Sequence, residues 1–69
     1  MTTKIAIAGA KGRMGRNLIK SGLSNSHTDI VGVFDISEIE QVFLDEMNLS
    51  HEIATTREHS FERSDVIID

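Results

Sequence analysis

Short runs of mainly apolar residues alternate along the chain with longer segments in which apolar residues recur at helical intervals. The apolar runs span 4–8, 29–34 and 65–69 and lack the polar alternation of a strand with one solvent face. Such runs are typical of strands covered on both faces, as in a parallel sheet. Segments 13–23 and 37–49 have helical spacing instead, with polar residues on the opposite side. The pattern predicts the order strand, helix, strand, helix, strand.

Turn-forming and capping residues set the limits of these elements. A polar cluster at 24–28 closes the first helix, and Ser37 with a glutamate three residues later has the capping-box pattern that begins the second. Segment 53–56 is compatible with a short extra strand, and 57–64 with about one helical turn. Strands that alternate with helices predict an α/β fold with a Rossmann-like parallel sheet and right-handed crossovers.

The length of the chain bounds its domain organisation. With 69 residues it forms at most one domain, and domains of this size bury only about 60% of the surface that the unfolded chain exposes. The last apolar run, 65–69, needs cover on both faces, and no helix follows it. We therefore expect residues 1–69 to be a truncated part of a larger protein, with poor stability alone.

The charge of the chain narrows the choice of partners. A net charge of −4 disfavours nucleic-acid binding, because nucleic-acid-binding domains normally carry a basic excess. Five of the seven basic residues nevertheless lie in the first 20 positions. They are Lys4, Lys11, Arg13, Arg16 and Lys20. Either these N-terminal basic residues bind an anion, or they are surface side chains that lie close together by chance.

Composition also limits other kinds of site. The chain has no cysteine, and its three histidines lack the spacing of a helical ligand pair, so we expect no disulfide and no metal site. His27, His51 and His59 are expected in surface loops. The first apolar run has only about five residues, too few for a signal peptide or a membrane span. We expect a cytoplasmic protein without membrane contact.

Three glycines follow the first apolar run at intervals of three. Gly9, Gly12 and Gly15 form G-x-x-G-x-x-G, a close relative of the dinucleotide-binding pattern G-x-G-x-x-G. The first glycine allows a sharp turn after the strand, the second a close approach of backbone to a pyrophosphate, and the third tight helix–strand packing. The helix that begins here directs its N–H groups and the positive end of its dipole at a diphosphate.

An acid at the end of the second strand supports this interpretation. Asp35 lies 20 residues beyond Gly15, where dinucleotide-binding folds place the carboxylate that holds the adenosine ribose. The alternative is that the glycines make only a tight turn and that Asp35 merely caps the next segment.

Other phosphate-binding patterns fit these residues less well. A P-loop requires Gly-Lys followed by Ser or Thr, whereas here Lys11 precedes Gly12. A methyltransferase with a nucleoside cofactor also has a glycine turn and a later acid, but it leaves the arginines at the helix start unexplained. Of these, we expect Arg13 to flank the cofactor phosphates and Arg16 to be solvated.

The residues between the glycines are more specific than the spacing of the glycines. The string from Lys4 to Arg16, with Gly-Arg-Met-Gly after Ala-Gly-Ala-Lys, closely resembles the start of bacterial dihydrodipicolinate reductase. This family of 4-hydroxy-tetrahydrodipicolinate reductases acts in lysine and diaminopimelate biosynthesis. Segment 64–69 also looks like the family's third strand, whereas segment 36–64 is poorly matched.

The resemblance implies a truncated dinucleotide-binding domain over residues 1–69, with the substrate and tetramerisation domain absent. The family transfers a hydride from NADH or NADPH to a cyclic dicarboxylate, and its catalytic residues lie in that second domain. No catalytic residue is therefore expected in this chain, and the parent is expected to be a homotetramer. The implied cofactor-binding residues are Gly9, Ala10, Lys11, Gly12, Arg13, Met14, Gly15 and Asp35.

The residues at the glycine turn and after the second strand partly predict which cofactor is preferred. The acid at Asp35 favours the free ribose of NAD, and Ile36 occupies the place where family members that accept NADP often carry an arginine. Lys11 could still reach a 2′-phosphate from the turn, so we expect NADH to be preferred and NADPH to be tolerated. Two alternatives stay open: a non-catalytic dinucleotide-sensing module, and another two-domain dehydrogenase of the homoserine or sugar type.

Overall fold

A computed structural model describes residues 2–68 of the chain. They form three strands and three helices, in the order β1 (Thr3–Ala8), α1 (Arg13–Ser24), β2 (Thr28–Phe34), α2 (Gln41–Glu46), α3 (Arg57–Arg63) and β3 (Val66–Ile68). All three predicted strands are present, and each limit falls within one residue of the predicted one. Asp69, which the sequence places in the third strand, lies outside the described residues.

The strands form a parallel sheet in the order β2-β1-β3. β1 lies in the middle, and Ala6 and Ile7 at its centre are fully buried. Ile7 pairs with Val33 of β2 on one side and with Ile68 of β3 on the other. A strand that has neighbours on both edges and cover on both faces has no solvent side, which explains the unbroken apolar run. The predicted α/β fold with a Rossmann-like sheet is confirmed.

A further piece of chain extends the sheet beyond β2. Ala54 forms a parallel bridge with Gly32, in which the Val33 N–H donates to the Ala54 carbonyl at 2.9 Å and the Ala54 N–H to the Val31 carbonyl at 2.9 Å. The predicted extra strand at 53–56 is thus reduced to one residue. The chain therefore runs outward from β1 to β2 and this bridge, and then returns to the opposite side of β1 as β3. The direction reverses between β1 and β3, and open α/β sheets bind ligands at the strand carboxyl ends where such a reversal occurs.

Helix α1 packs on the sheet through a narrow face. Gly15, Ile19 and Gly22 are its buried residues, whereas Met14 is 70% exposed and Leu23 is also exposed. Met14 and Leu23 are among the apolar residues at helical spacing in segment 13–23, yet both lie outside the face that packs on the sheet. The glycines allow the helix to approach closely, and this close contact narrows the face that meets the sheet.

Helix α2 is shorter than the sequence predicts. It covers Gln41–Glu46 rather than 37–49, and Ser37 is not its N-cap. The hydroxyl of Ser37 and the carbonyl of Glu38 instead accept hydrogen bonds from the ammonium group of Lys11, at 3.2 and 3.3 Å. The capping-box prediction is wrong because a contact distant in sequence takes the groups that would begin the helix.

The end of α2 also comes earlier than predicted. Asn48 has a φ of 59°, in the left-handed region, and the Leu49 N–H donates to the Leu44 carbonyl at 2.8 Å. Asparagine is the common alternative to glycine for this type of helix end. Leu49 is consequently buried as part of the loop rather than as part of a helix.

Helix α3 matches the predicted helical turn at 57–64. The Thr56 hydroxyl accepts the His59 N–H at its start, and its buried residue is Ser60. Ser60 packs on β2 at Gly32, where a Cβ would lie only 2.5 Å from the serine Oγ.

One apolar cluster connects the sheet, α1, α2 and the loops around α2. Its buried members are Ile5, Ile7, Ala10, Ile19, Ile30, Val33, Ile39, Phe43, Leu44, Met47 and Leu49. Within residues 2–68, no helix has the length and apolar character required to cross a membrane.

Candidate functional site

The glycine turn lies at the carboxyl end of the central strand. β1 ends at Ala8, and Gly9 turns the chain with a φ of +64°, which side chains with a Cβ rarely adopt. The Gly9 carbonyl then accepts the Gly12 N–H at 3.1 Å. Ala10 is fully buried, and its N–H donates to the Phe34 carbonyl at the end of β2 at 3.2 Å. The turn is therefore fixed to both strands.

Gly12 and Gly15 have different surroundings. A Cβ on Gly15 would lie 2.2 Å from the Gly9 carbonyl oxygen and 2.7 Å from the Ala10 Cα, so the fold itself requires glycine there. A Cβ on Gly12 would meet only the Gly9 oxygen at 3.4 Å, an ordinary contact, and its φ of −77° suits any residue. Gly12 is exposed, so the space over its backbone is open to a ligand.

The start of α1 has the properties of an anion site. Gly12 is the N-cap of this 12-residue helix, and no side chain among residues 2–68 caps it. The first α-helical hydrogen bond is donated by the Arg16 N–H to the Gly12 carbonyl at 3.0 Å, so the N–H groups of Arg13, Met14 and Gly15 precede the helical ladder. The first turn contains no acid. These N–H groups and the positive end of the dipole favour a bound anion.

The carboxylate of Asp35 connects the turn to the end of β2. Its Oδ2 accepts the Lys11 backbone N–H at 2.9 Å, and its Oδ1 accepts the N–H of the next residue, Ile36, at 2.7 Å. Asp35 thus caps the loop that follows it and is also held beside the glycine turn. An ionised carboxylate has about four acceptor positions, so about two remain for a ligand. The two interpretations of Asp35 are compatible.

Lys11 spans from the turn to the loop after β2. Besides its hydrogen bonds to Ser37 and Glu38, its Nζ lies 3.9 Å from Oε1 of Glu40. The loop that follows Asp35 thereby holds the ammonium group of Lys11. That Lys11 reaches a 2′-phosphate stays a prediction.

The two arginines at the start of α1 differ in their partners. Arg13 is exposed, and in the described part of the chain its side chain has no hydrogen bond or ion pair. Arg16 donates from Nε to the Lys11 carbonyl at 3.2 Å, lies over the Phe43 ring at 5.3 Å, and approaches Glu46 at 3.7 Å. The expectation that Arg16 is simply solvated is wrong, because its side chain connects the turn to α2.

The structure thus brings together all of the predicted site residues at one edge of the sheet. Gly9 to Gly15 form the turn and the helix start, and Asp35 faces the turn from the neighbouring strand. Met14 is exposed beside the helix start rather than buried. Two residues near Asp35 were not predicted to lie there: Ser37, which the sequence assigned to a helix cap and which binds Lys11, and Arg57, which lines a cavity together with Asp35. Arg57 lies 22 positions beyond Asp35 in the sequence, and no pattern in the residues around it predicts that the two line one cavity.

Comparison with known protein families shows the family of the chain. The model of the family described as "Dihydrodipicolinate reductase, N-terminus" matches residues 3–69. The chain belongs to that family. The match includes segment 36–64, where the resemblance read from the sequence is weak. Comparison with curated proteins found no match, and comparison with solved structures found none.

The residues at the glycine turn fit the cofactor of the family, a nicotinamide dinucleotide. The open backbone at Gly12, the N–H groups at the start of α1 and the unpaired Arg13 side chain (within residues 2–68) suit a diphosphate. Asp35 suits ribose hydroxyls, which donate hydrogen bonds to carboxylate oxygens. The description of the family indicates an oxidoreductase.

Proposed function

We propose that the chain is the cofactor-binding part of an NAD(P)H-dependent 4-hydroxy-tetrahydrodipicolinate reductase of lysine and diaminopimelate biosynthesis. The observation that carries the proposal is the uncapped start of α1, which directs three N–H groups toward the open space over Gly12. The family match over residues 3–69 supports the reaction class. The protein that carries the chain would act in the cytoplasm.

In this proposal each part of the site has one task. The segment from Gly9 to Gly15 binds the pyrophosphate through backbone N–H groups, and Arg13 adds a positive charge beside it. The carboxylate of Asp35 accepts hydrogen bonds from the adenosine ribose. Met14, exposed next to the helix start, covers an apolar part of the bound dinucleotide.

The residues of this chain bind and orient the cofactor rather than perform the chemical step. When bound, the reduced nicotinamide supplies the hydride that reduces a cyclic dicarboxylate. The chain holds the diphosphate at the carboxyl ends of β1 and β2, and this fixes where the rest of the dinucleotide lies. Substrate-binding and catalytic residues would belong to a second domain of the full-length protein, which would assemble as a homotetramer.

NADH is the proposed preferred cofactor, with NADPH also accepted. The negative charge of Asp35 repels a 2′-phosphate on the ribose it binds, and Ile36 offers no compensating charge. Lys11 offers one, because its ammonium group lies in the adjoining loop. Its hydrogen bonds to Ser37 and Glu38 must break before it can bind a phosphate. Lys11 therefore raises the affinity for NADPH by less than a lysine without these bonds would.

The test is a steady-state assay of the full-length protein with each cofactor. We expect consumption of NADH that depends on 4-hydroxy-tetrahydrodipicolinate, and slower or weaker use of NADPH. Binding of either cofactor without turnover would contradict the reductase and favour a dinucleotide-sensing module. Turnover with a different class of substrate would favour another two-domain dehydrogenase. A much lower Kd for NADPH than for NADH would contradict the proposed preference.

A further inference from the structure

The two methionines among residues 2–68 differ in their access to solvent. Met14 is 70% exposed, whereas Met47 is only 6% exposed and belongs to the apolar core. Oxidation of a sulfur side chain depends on its exposure, and the product, methionine sulfoxide, is polar rather than apolar. Within the described residues, Met14 is therefore the thioether that a dissolved oxidant reaches first.

Met14 lies in the first turn of α1, beside N–H groups that have no acceptor in the helix. Gly12 is the N-cap, so Met14 is the second helical residue. No side chain among residues 2–68 caps this end, and the first turn contains no acid. The N–H groups of Arg13, Met14 and Gly15 precede the helical ladder. An acceptor added to the Met14 side chain would arise next to these donors.

Oxidation adds such an acceptor. A peroxide transfers an oxygen atom to the thioether sulfur: the O–O bond breaks, a sulfur–oxygen bond forms, and hydrogen peroxide leaves as water. The sulfur loses two electrons, and the peroxide gains them. The new oxygen is attached to the δ atom of the side chain, like the carbonyl oxygen of glutamine. Glutamine and glutamate in the first turn of a helix use that oxygen to accept its free N–H groups.

We propose that Met14 is an oxidation site, at which a peroxide forms methionine sulfoxide and thereby weakens cofactor binding. The sulfoxide oxygen accepts N–H groups at the start of α1 and competes for them with the diphosphate of the cofactor. This inference rests on the proposed function, which places the diphosphate at the same N–H groups. The change is reversible by a methionine sulfoxide reductase, in which two thiols form a disulfide and the oxygen leaves as water.

The test is treatment of the full-length protein with hydrogen peroxide, removal of the oxidant, and then peptide mass spectrometry and calorimetric titration with NADH. We expect Met14 to oxidise at least about fivefold faster than Met47, because oxidation follows exposure. Saturating NADH present during the treatment is expected to slow the oxidation of Met14, which the bound cofactor covers. The affinity for NADH is expected to fall about fivefold or more, the equivalent of one helix-capping hydrogen bond.

Two further measurements separate this effect from damage to the protein. The midpoint of chemical unfolding is expected to stay at or above that of the untreated protein, because an acceptor at the start of α1 does not weaken the helix. Incubation with a methionine sulfoxide reductase and a thiol is expected to restore the affinity for NADH.

Variants separate Met14 from every other methionine of the full-length protein. Met14→Gln carries a carbonyl oxygen in place of the sulfoxide oxygen, and we expect it to bind NADH less tightly than Met14→Leu. Neither variant is expected to change its affinity on peroxide treatment. Met47→Leu is the matched control, because it conserves the volume of the core and keeps Met14. We expect it to lose affinity on treatment as the wild type does.

Several results would overturn the inference and leave the proposed function intact. These are equal oxidation rates of Met14 and Met47, unchanged affinity once Met14 is oxidised, and equal affinities of Met14→Gln and Met14→Leu. A fall in the unfolding midpoint that parallels the loss of binding would also overturn it, because the loss would then follow from unfolding. No binding of NADH to the untreated protein would overturn the proposed function as well.

Discussion

Three glycines of one motif occupy positions with three different physical requirements. Gly9 is required for its positive φ, and Gly15 is required because a Cβ would clash with the Gly9 carbonyl. Gly12 has an ordinary φ and room for a Cβ, so the fold itself does not require glycine there. The sequence pattern predicts three roles for them: a sharp turn, the close approach of a pyrophosphate, and tight helix packing. The structure separates the residue that leaves room for a ligand from the two that shape the turn.

This difference makes a prediction about stability. Gly15→Ala is expected to destabilise the protein by roughly 1–3 kcal/mol or more, because its Cβ would lie 2.2 Å from the Gly9 oxygen and the helix start must move. Gly12→Ala is expected to cost only about 1 kcal/mol, the loss from replacing glycine at an N-cap. Chemical unfolding of the two variants checks the order. Equal stability of the two would show that α1 does not pack on the turn as described.

Asp35 allows a second prediction, because its two oxygens both accept backbone N–H groups. Asp35→Asn replaces one oxygen with an NH₂ group, which leaves the N–H of Lys11 or of Ile36 without an acceptor. We expect a loss of about 1–3 kcal/mol in the free energy of unfolding. We also expect the ratio of NADPH to NADH affinity to rise, because the negative charge that repels a 2′-phosphate is removed.

Asp29→Asn is the control for this change. It removes the same charge from an exposed position on β2, where the carboxylate makes no side-chain hydrogen bond within the described residues 2–68. We expect its stability and its cofactor ratio to stay near wild type. If the two variants have the same cofactor ratio, Asp35 does not contact the ribose.

Among the elements, the strands could be predicted from the sequence and α2 could not. Strands buried on both faces consist almost wholly of apolar residues, a signal that local sequence carries by itself. The limits of α2 depend instead on Lys11, which lies 26 residues before Ser37 in the sequence. Its ammonium group donates hydrogen bonds to the Ser37 hydroxyl and the Glu38 carbonyl. For the same reason Ile39 is buried as a loop residue rather than as part of a helix. Spacing rules do not describe such competition.

The packing of α3 on β2 gives a prediction at this scale. The Ser60 hydroxyl is fully buried and has no hydrogen-bond partner in the part of the chain that the structure describes. An unpaired buried hydroxyl costs about 1–3 kcal/mol, so Ser60→Ala is expected to raise the free energy of unfolding. Its neighbour on α3, the exposed Glu62, supplies the control Glu62→Ala, expected to change stability by less than about 0.5 kcal/mol. A loss of stability in Ser60→Ala would indicate that the hydroxyl has a partner.

At the scale of the whole molecule, the order of the strands places the site. The chain passes from β1 outward to β2 and then returns beyond β1 to β3, which leaves the glycine turn at the reversal point. The alternation of strands and helices predicts a parallel sheet but not the side on which β3 is added. The same limit applies to the site: Asp35 could be predicted from its distance to the glycines, whereas the contact between Lys11 and Ser37 depends on the fold.

The central claim is that the glycine turn binds the diphosphate of a nicotinamide dinucleotide. The most direct measurement is calorimetric titration of NADH into the full-length protein and into its Gly12→Ala variant, with an unfolding curve for each. The account predicts saturable binding to the wild type and a loss of tenfold or more in the variant, about 1.4 kcal/mol or more, while the variant stays folded. A folded Gly12→Ala protein that binds NADH as tightly as the wild type would contradict it.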